Sequence, residues 1–112
     1  MSIQQWSDQI WLVKLGNEPS LSDDLISAKD QAERAQKMPD IVLDLSGVSQ
    51  LNSSNLSQLL RLRKLAIDCD GRLKLAGISD SIWAVFLTTG LDKVFDFAED
   101  VSTGLAGLQI DQ

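Results

Sequence analysis

The 112-residue chain contains no histidine and a single cysteine, Cys69. Without histidine it lacks the most common general base and the usual neutral metal ligand. One cysteine excludes an internal disulfide, and cytoplasmic residence is the simplest expectation. No apolar run approaches the roughly 20 residues of a membrane span. The N-terminal Met1-Ser2-Ile3-Gln4-Gln5 has neither a basic region nor a hydrophobic stretch, so neither a signal peptide nor direct membrane insertion is expected. Positive charge is also scarce. Ten Lys and Arg face sixteen Asp and Glu, a net charge of −6, which argues against general nucleic-acid binding. Gly-x-Ser-x-Gly, P-loop and Gly-x-Gly-x-x-Gly motifs are all missing, and no carboxylates stand in a recognisable catalytic pairing. The expectation is a binding protein, not an enzyme, with no cofactor and no metal.

What is present fits one soluble domain over 1–112, with an ordinary hydrophobic fraction of 44%. Ile3 to Trp6 and Gln9 to Leu15 read as the arms of a hairpin turning at Ser7-Asp8. A helix follows from about Asp23 to Met38. Ser20 and Asp23 resemble a capping box, Asp23 and Asp24 complement the start of the dipole, Lys37 complements its end, and Pro39 stops the helix. Leu25, Ala28, Ala32 and Ala35 give it a thin apolar face suited to lying against a sheet.

Ile41-Val42-Leu43-Asp44-Leu45 reads as a central strand, apolar on both faces except at Asp44. Asp44 is either an exposed strand-end residue or a carboxylate that orders the loop from Ser46 to Asn52 by accepting backbone hydrogen bonds. The second reading is preferred. Asn52-Ser53-Ser54-Asn55 then opens a second helix, Ser54 to Asp70, with one of its serines read as the cap. Leu56, Leu59, Leu60, Leu62, Ala66 and Ile67 form its apolar arc, which Arg63 interrupts by snorkelling to the edge. Ser57, Arg61, Lys64 and Asp68 line the opposite side. Arg61 and Lys64 make a short basic stripe, either a solvated face or a docking face for an acidic partner. Cys69 is expected to be partly buried.

Arg72 to Ala76 alternates as a strand. Ser79 caps a third helix, Asp80 to Thr89, which Gly90 ends, and Ile82, Val85, Phe86 and Thr89 form its inward face. Trp83 and Leu87 fall on a different face and are either further core or an exposed contact pair. Val94 to Phe97 is a short last strand. Val101, Leu105 and Leu108 mark a final helix weakened by Gly104 and Gly107, with fraying expected over 110–112. The order of elements implies an α/β fold, a mixed central sheet of about five strands with about four helices.

This pattern resembles the STAS domain, and within it the bacterial anti-sigma factor antagonists. The likeness runs from about Ile41 to Leu108. It rests on Ile41-Val42-Leu43-Asp44-Leu45-Ser46-Gly47-Val48, on Gly71-Arg72-Leu73, on Thr89-Gly90-Leu91 with Phe95, and on Asn52-Ser53-Ser54-Asn55-Leu56. The last falls where the family has Asp-Ser-Ser/Thr-Gly-Leu. Asn52 thus replaces an acidic residue, and Asn55 and Ser57 replace glycines. The resemblance implies a transcription regulator whose Ser53, with Ser54 as fallback, is phosphorylated by a partner that is both anti-sigma factor and serine kinase of the histidine-kinase-like ATPase fold. A serine phosphatase would reverse the modification. The implied contact surface is Asn52, Ser53, Ser54, Asn55, Ser57, Arg61, Lys64, Trp83 and Leu87, on a monomer or weak dimer. An alternative is a STAS accessory subunit without a phosphoswitch, held in a complex such as a lipid-transport ATPase. The family's acidic residue in the early loop has no clean match in Gly16 to Ser22.

Overall fold

Four consecutive strand-forming residues, Ile10, Trp11, Leu12 and Val13, are all buried, and they make β2 (Ile10–Lys14) an interior strand. The computed structural model describes residues 2–110. β1 (Ser2–Gln5) pairs antiparallel with β2 as the expected hairpin. β3 (Asp40–Asp44), β4 (Leu73–Ala76) and β5 (Asp96–Ala98) add in parallel, giving a five-stranded mixed sheet in the order β1-β2-β3-β4-β5. Helices α1 (Ser20–Arg34), α2 (Ser53–Asp68) and α3 (Asp80–Thr89) make the crossovers, and α4 (Val101–Ile110) closes the chain.

The double-sided apolar character of β3 decides the layering. Ile41 and Leu43 enter a core with Leu25 and Ala28 of α1, Leu59 and Leu62 of α2, and Ile82 and Phe86 of α3. Val42 points the other way, into a smaller core with Ile10, Leu12, Ala76 and the α4 residues Leu105 and Leu108. Each such aliphatic side chain, fully buried, contributes about 1.5–3 kcal/mol. Gly104 belongs to that packing. A Cβ there would meet Val42 and Ala98 at 3.4 Å, about ordinary van der Waals contact, so the residue that weakens the helix faces the sheet. Arg72 ties the layers together, donating to the Asp40 carboxylate at 3.0 Å and to the Leu108 carbonyl at 2.9 Å.

Several boundaries differ from the sequence reading. α1 begins at Ser20 and ends at Arg34, because the chain must turn early to bury Met38 and reach β3 at Asp40. Ser20 and Asp23 form no capping box. The α1 N-cap is Pro19, without a side-chain cap bond, and Lys37 lies beyond the helix. α2 starts one residue earlier and ends two residues earlier than expected. Its arc is narrower, since Leu60 and Ile67 are exposed. Cys69 is exposed at the α2 C-cap, because the helix ends before it can turn inward. Thr89 is exposed and returns its hydroxyl to the Val85 carbonyl at 2.9 Å. Arg63 is half-buried at the arc's edge and donates to the Val94 carbonyl at 3.0 Å. Of the segment expected to fray, residues 111 and 112 lie outside the described residues, and Ile110 belongs to α4. Among the described residues no helix is long and apolar enough to cross a membrane.

Candidate functional site

In a parallel sheet the crevice at the carboxyl ends of the strands is where loops converge. Here the loop after β2 and the loop after β3 meet there, at the start of α2. Asp44 Oδ1 accepts the Ser46 N–H at 3.0 Å as the chain leaves β3. Gly77, following β4, has φ +73° and lies where any Cβ would sit 3.2 Å from that same carboxylate oxygen. The turn therefore needs both the left-handed backbone and the missing side chain. Asn17 holds the two loops together. It donates to the Ser49 hydroxyl at 3.0 Å and accepts the Ser49 N–H at 2.9 Å.

The first turn of α2 is capped by asparagine, not serine. Asn52 is the N-cap and its side-chain oxygen accepts the Asn55 N–H at 2.8 Å. The Asn55 side-chain oxygen accepts the Asn52 N–H at 3.0 Å, completing a reciprocal box. The expectation that a serine caps this helix is therefore corrected. Asparagine at each end supplies both acceptors, and Ser53 and Ser54 become the first two helical residues. Both are exposed, and among the described residues neither hydroxyl has a hydrogen-bond partner. Asn55, in contrast, is 1% exposed. Its amide reaches Ser22 Oγ at 3.3 Å and Glu18 Oε2 at 3.4 Å. It is a strut between α2 and the loop after β2, away from the outer contact surface on which the sequence reading put it.

Glu18 is the residue that reading passed over. Its carboxylate accepts the Ser22 N–H at 2.7 Å and the Ser22 hydroxyl at 2.5 Å, so it does for α1 what Ser20 was expected to do. The Ser22 hydroxyl first, and then the Ser22 N–H, hold its pKa below the ordinary carboxylate value, with smaller help from Asn55 and Asn52. A carboxylate with a lowered folded-state pKa contributes stability above its unfolded pKa and loses it as pH falls through the folded one. Glu18→Gln is accordingly expected to lower stability at neutral pH, and the difference from wild type should shrink on acidification. Denaturant unfolding across that range checks it, and a difference that does not change with pH would contradict the assignment. With Asn17, Ser49, Gln50, Leu51, Asn52 and Asn55, Glu18 lines a polar cleft of about 340 Å³ beside the α2 N-terminus. The crevice rule alone could have pointed to it, since it places the loop after β2 next to the loop after β3.

The remaining expected contact residues lie apart. Ser57, Arg61, Lys64 and Asp68 form one exposed line along α2. Lys64 is paired with Asp68 at 2.7 Å, while among the described residues Arg61 has no acidic partner. Trp83 and Leu87 are exposed on α3, at 38% and 52%. Trp83 stands edge-on to Phe97 of β5, with ring centroids 5.1 Å apart, at the far edge of the sheet from β1.

In a family comparison the STAS domain model matches residues 13–104. The chain belongs to the STAS domain family. A comparison with curated proteins gave no match. Among solved structures, this STAS domain is similar to a component of the stressosome, described as a signal integration and transduction hub. The two are 22% identical with a TM-score of 0.76, over 96% of each chain. It is similar to an anti-sigma-factor antagonist (STAS) domain protein from Planctomyces limnophilus, at 19% identity and a TM-score of 0.75, over 94% of this chain and 95% of that one. It is also similar to a sulfate transporter family protein from Wolinella succinogenes. That pair shares 14% identity and a TM-score of 0.73, over 93% and 88% of the respective chains. At these identities the likeness is one of fold.

Proposed function

We propose that this STAS domain is an anti-sigma factor antagonist-like regulator, without catalytic activity of its own. It binds an anti-sigma factor that is also a serine kinase of the histidine-kinase-like ATPase fold, and phosphorylation of Ser53 ends that binding. The observation that carries this reading is the free, exposed Ser53 hydroxyl at the first position of α2, released from capping by the Asn52–Asn55 box. A helix N-terminus tolerates added negative charge. A phosphate of roughly −1.5 to −2 charge there leaves the fold in place and repels a partner seated over it. Asn52, Ser53 and Ser54 are the centre of the contact surface, which Ser57, Arg61 and Lys64 extend along α2. A serine phosphatase resets the switch. The likeness to a stressosome component and to an antagonist domain supports a signalling role among protein partners.

Site-resolved phosphopeptide mapping of the protein from its own cells, stressed and unstressed, tests the switch. Phosphate on Ser53 that varies with condition is the expected result. Its absence from both Ser53 and Ser54 in every condition would favour the alternative, an accessory STAS subunit with no phosphoswitch. The likeness to a sulfate transporter family protein is the observation on that side, and stable co-purification with a membrane transporter would be its signature.

A further inference from the structure

Trp83 occupies an unusual setting for a residue left 38% exposed. Its ring is held edge-on to Phe97 at 90°, and Phe97 in turn packs against Phe86 at 5.2 Å. The indole is thus held by edge contact with an aromatic cluster and remains partly open to solvent. It forms one wall of a cleft of about 250 Å³ completed by Ile78, Asp80, Phe97, Ala98 and Glu99. Two lining residues are carboxylates and none is a cation. Among the described residues neither Asp80 nor Glu99 has an ion-pair or hydrogen-bond partner.

Helix electrostatics account for part of this. Asp80 opens α3 and Glu99 precedes α4, where negative charge suits the dipoles. Capping itself is done by others, Ser79 accepting the Ile82 N–H and Asp100 the Thr103 N–H. Nor does the dipole explain a large indole fixed beside the two carboxylates. An aromatic face next to uncompensated negative charge is the chemistry that receives an alkylated cation. The cleft also borders β5, the last strand of the sheet, so a polypeptide lying along that edge could place a side chain into it.

We infer that this cleft receives an arginine side chain from a basic segment of a protein partner. The guanidinium stacks on the Trp83 indole, while Asp80 and Glu99 neutralise it. Arginine suits the site better than lysine because its planar, weakly hydrated cation stacks on an aromatic face. The net charge of −6 favours the approach of a basic segment. The inference does not depend on the Ser53 switch. It concerns a different helix and requires no phosphate, so either reading can fail alone.

The test is an NMR titration of the full chain, following the Trp83 indole N–H, assigned by its loss in Trp83→Phe. The probe is Nα-acetyl-arginine amide. Its neutral citrulline counterpart and tetramethylammonium are the controls. The expected result is a saturable shift at Trp83 with an affinity on the order of millimolar. Citrulline should bind about tenfold more weakly or not at all. Asp80→Asn with Glu99→Gln should weaken arginine binding by roughly fivefold, without changing the rest of the spectrum. These exposed substitutions keep the test valid even if truncating Trp83 disturbs α3. Citrulline binding as well as arginine, no saturable movement of the Trp83 signal, or tighter binding of tetramethylammonium than of arginine would each overturn the proposal.

Discussion

Ser53→Asp is expected to weaken binding of the ATPase-fold partner by about tenfold to a hundredfold, through charge placed in the contact surface. The same substitution should leave the domain folded, and slightly more stable. Ser53 is the first residue of α2, whose first turn contains no acidic side chain. A carboxylate near a helix N-terminus stabilises by about 0.3–1 kcal/mol. The two effects have opposite signs, which is what separates a switch from a lesion. Isothermal titration with the partner and thermal unfolding of the free domain measure them independently. Wild-type affinity in the variant would count strongly against Ser53 as the switch. A large fall in melting temperature would mean that Ser53 holds the fold, contrary to its free hydroxyl.

Asn55→Ala should be the costliest single truncation at the site, at about 2–3 kcal/mol. It removes the acceptor for the Asn52 N–H and with it half of the capping box, a loss of about 0.5–2 kcal/mol. It also deletes a buried amide that reaches Glu18 and Ser22, leaving polar groups in a crevice without that partner. In a domain of this size the sum corresponds to a fall in melting temperature of roughly 8–15 °C. Asn55→Asp is a useful companion. It keeps the acceptor oxygen for the Asn52 N–H but sets a carboxylate against Glu18, so it should also destabilise. Ser53→Ala and Ser54→Ala should each stay within about 0.5 kcal/mol of wild type. If a serine truncation proved costlier than Asn55→Ala, the assignment of the cap would be wrong.

These predictions rest on residues whose types were plain in the sequence and whose roles were not. The alternation of strand and helix patterns determined an α/β fold, and the two-sided apolar run of Ile41 to Leu45 determined which strand would be central. Both follow from local periodicity, which the sequence carries directly. The bounds of α3 were legible for the same reason, since Ser79 and Gly90 are local start and stop signals that tertiary packing had no cause to override. Resemblance in short motifs added the family and drew attention to Ser53.

The tertiary structure decided what depends on residues far apart in the chain. Asn52, Ser53 and Ser54 can all cap a helix, and only the bond from the Asn55 N–H to the Asn52 side-chain oxygen shows which one does. Glu18 and Asn55 are 37 positions apart and meet because β2 and β3 are parallel neighbours, so no local pattern could connect them. α1 ends at Arg34, not at Pro39, because burial of Met38 outweighs a few more helical residues. Trp83 is neither core nor fully exposed because β5 brings Phe97 beneath it. Periodicity fixes which face of an element is apolar. Only the packed sheet determines which polar groups share a crevice, because that depends on strand order and on how far each helix overhangs its strand.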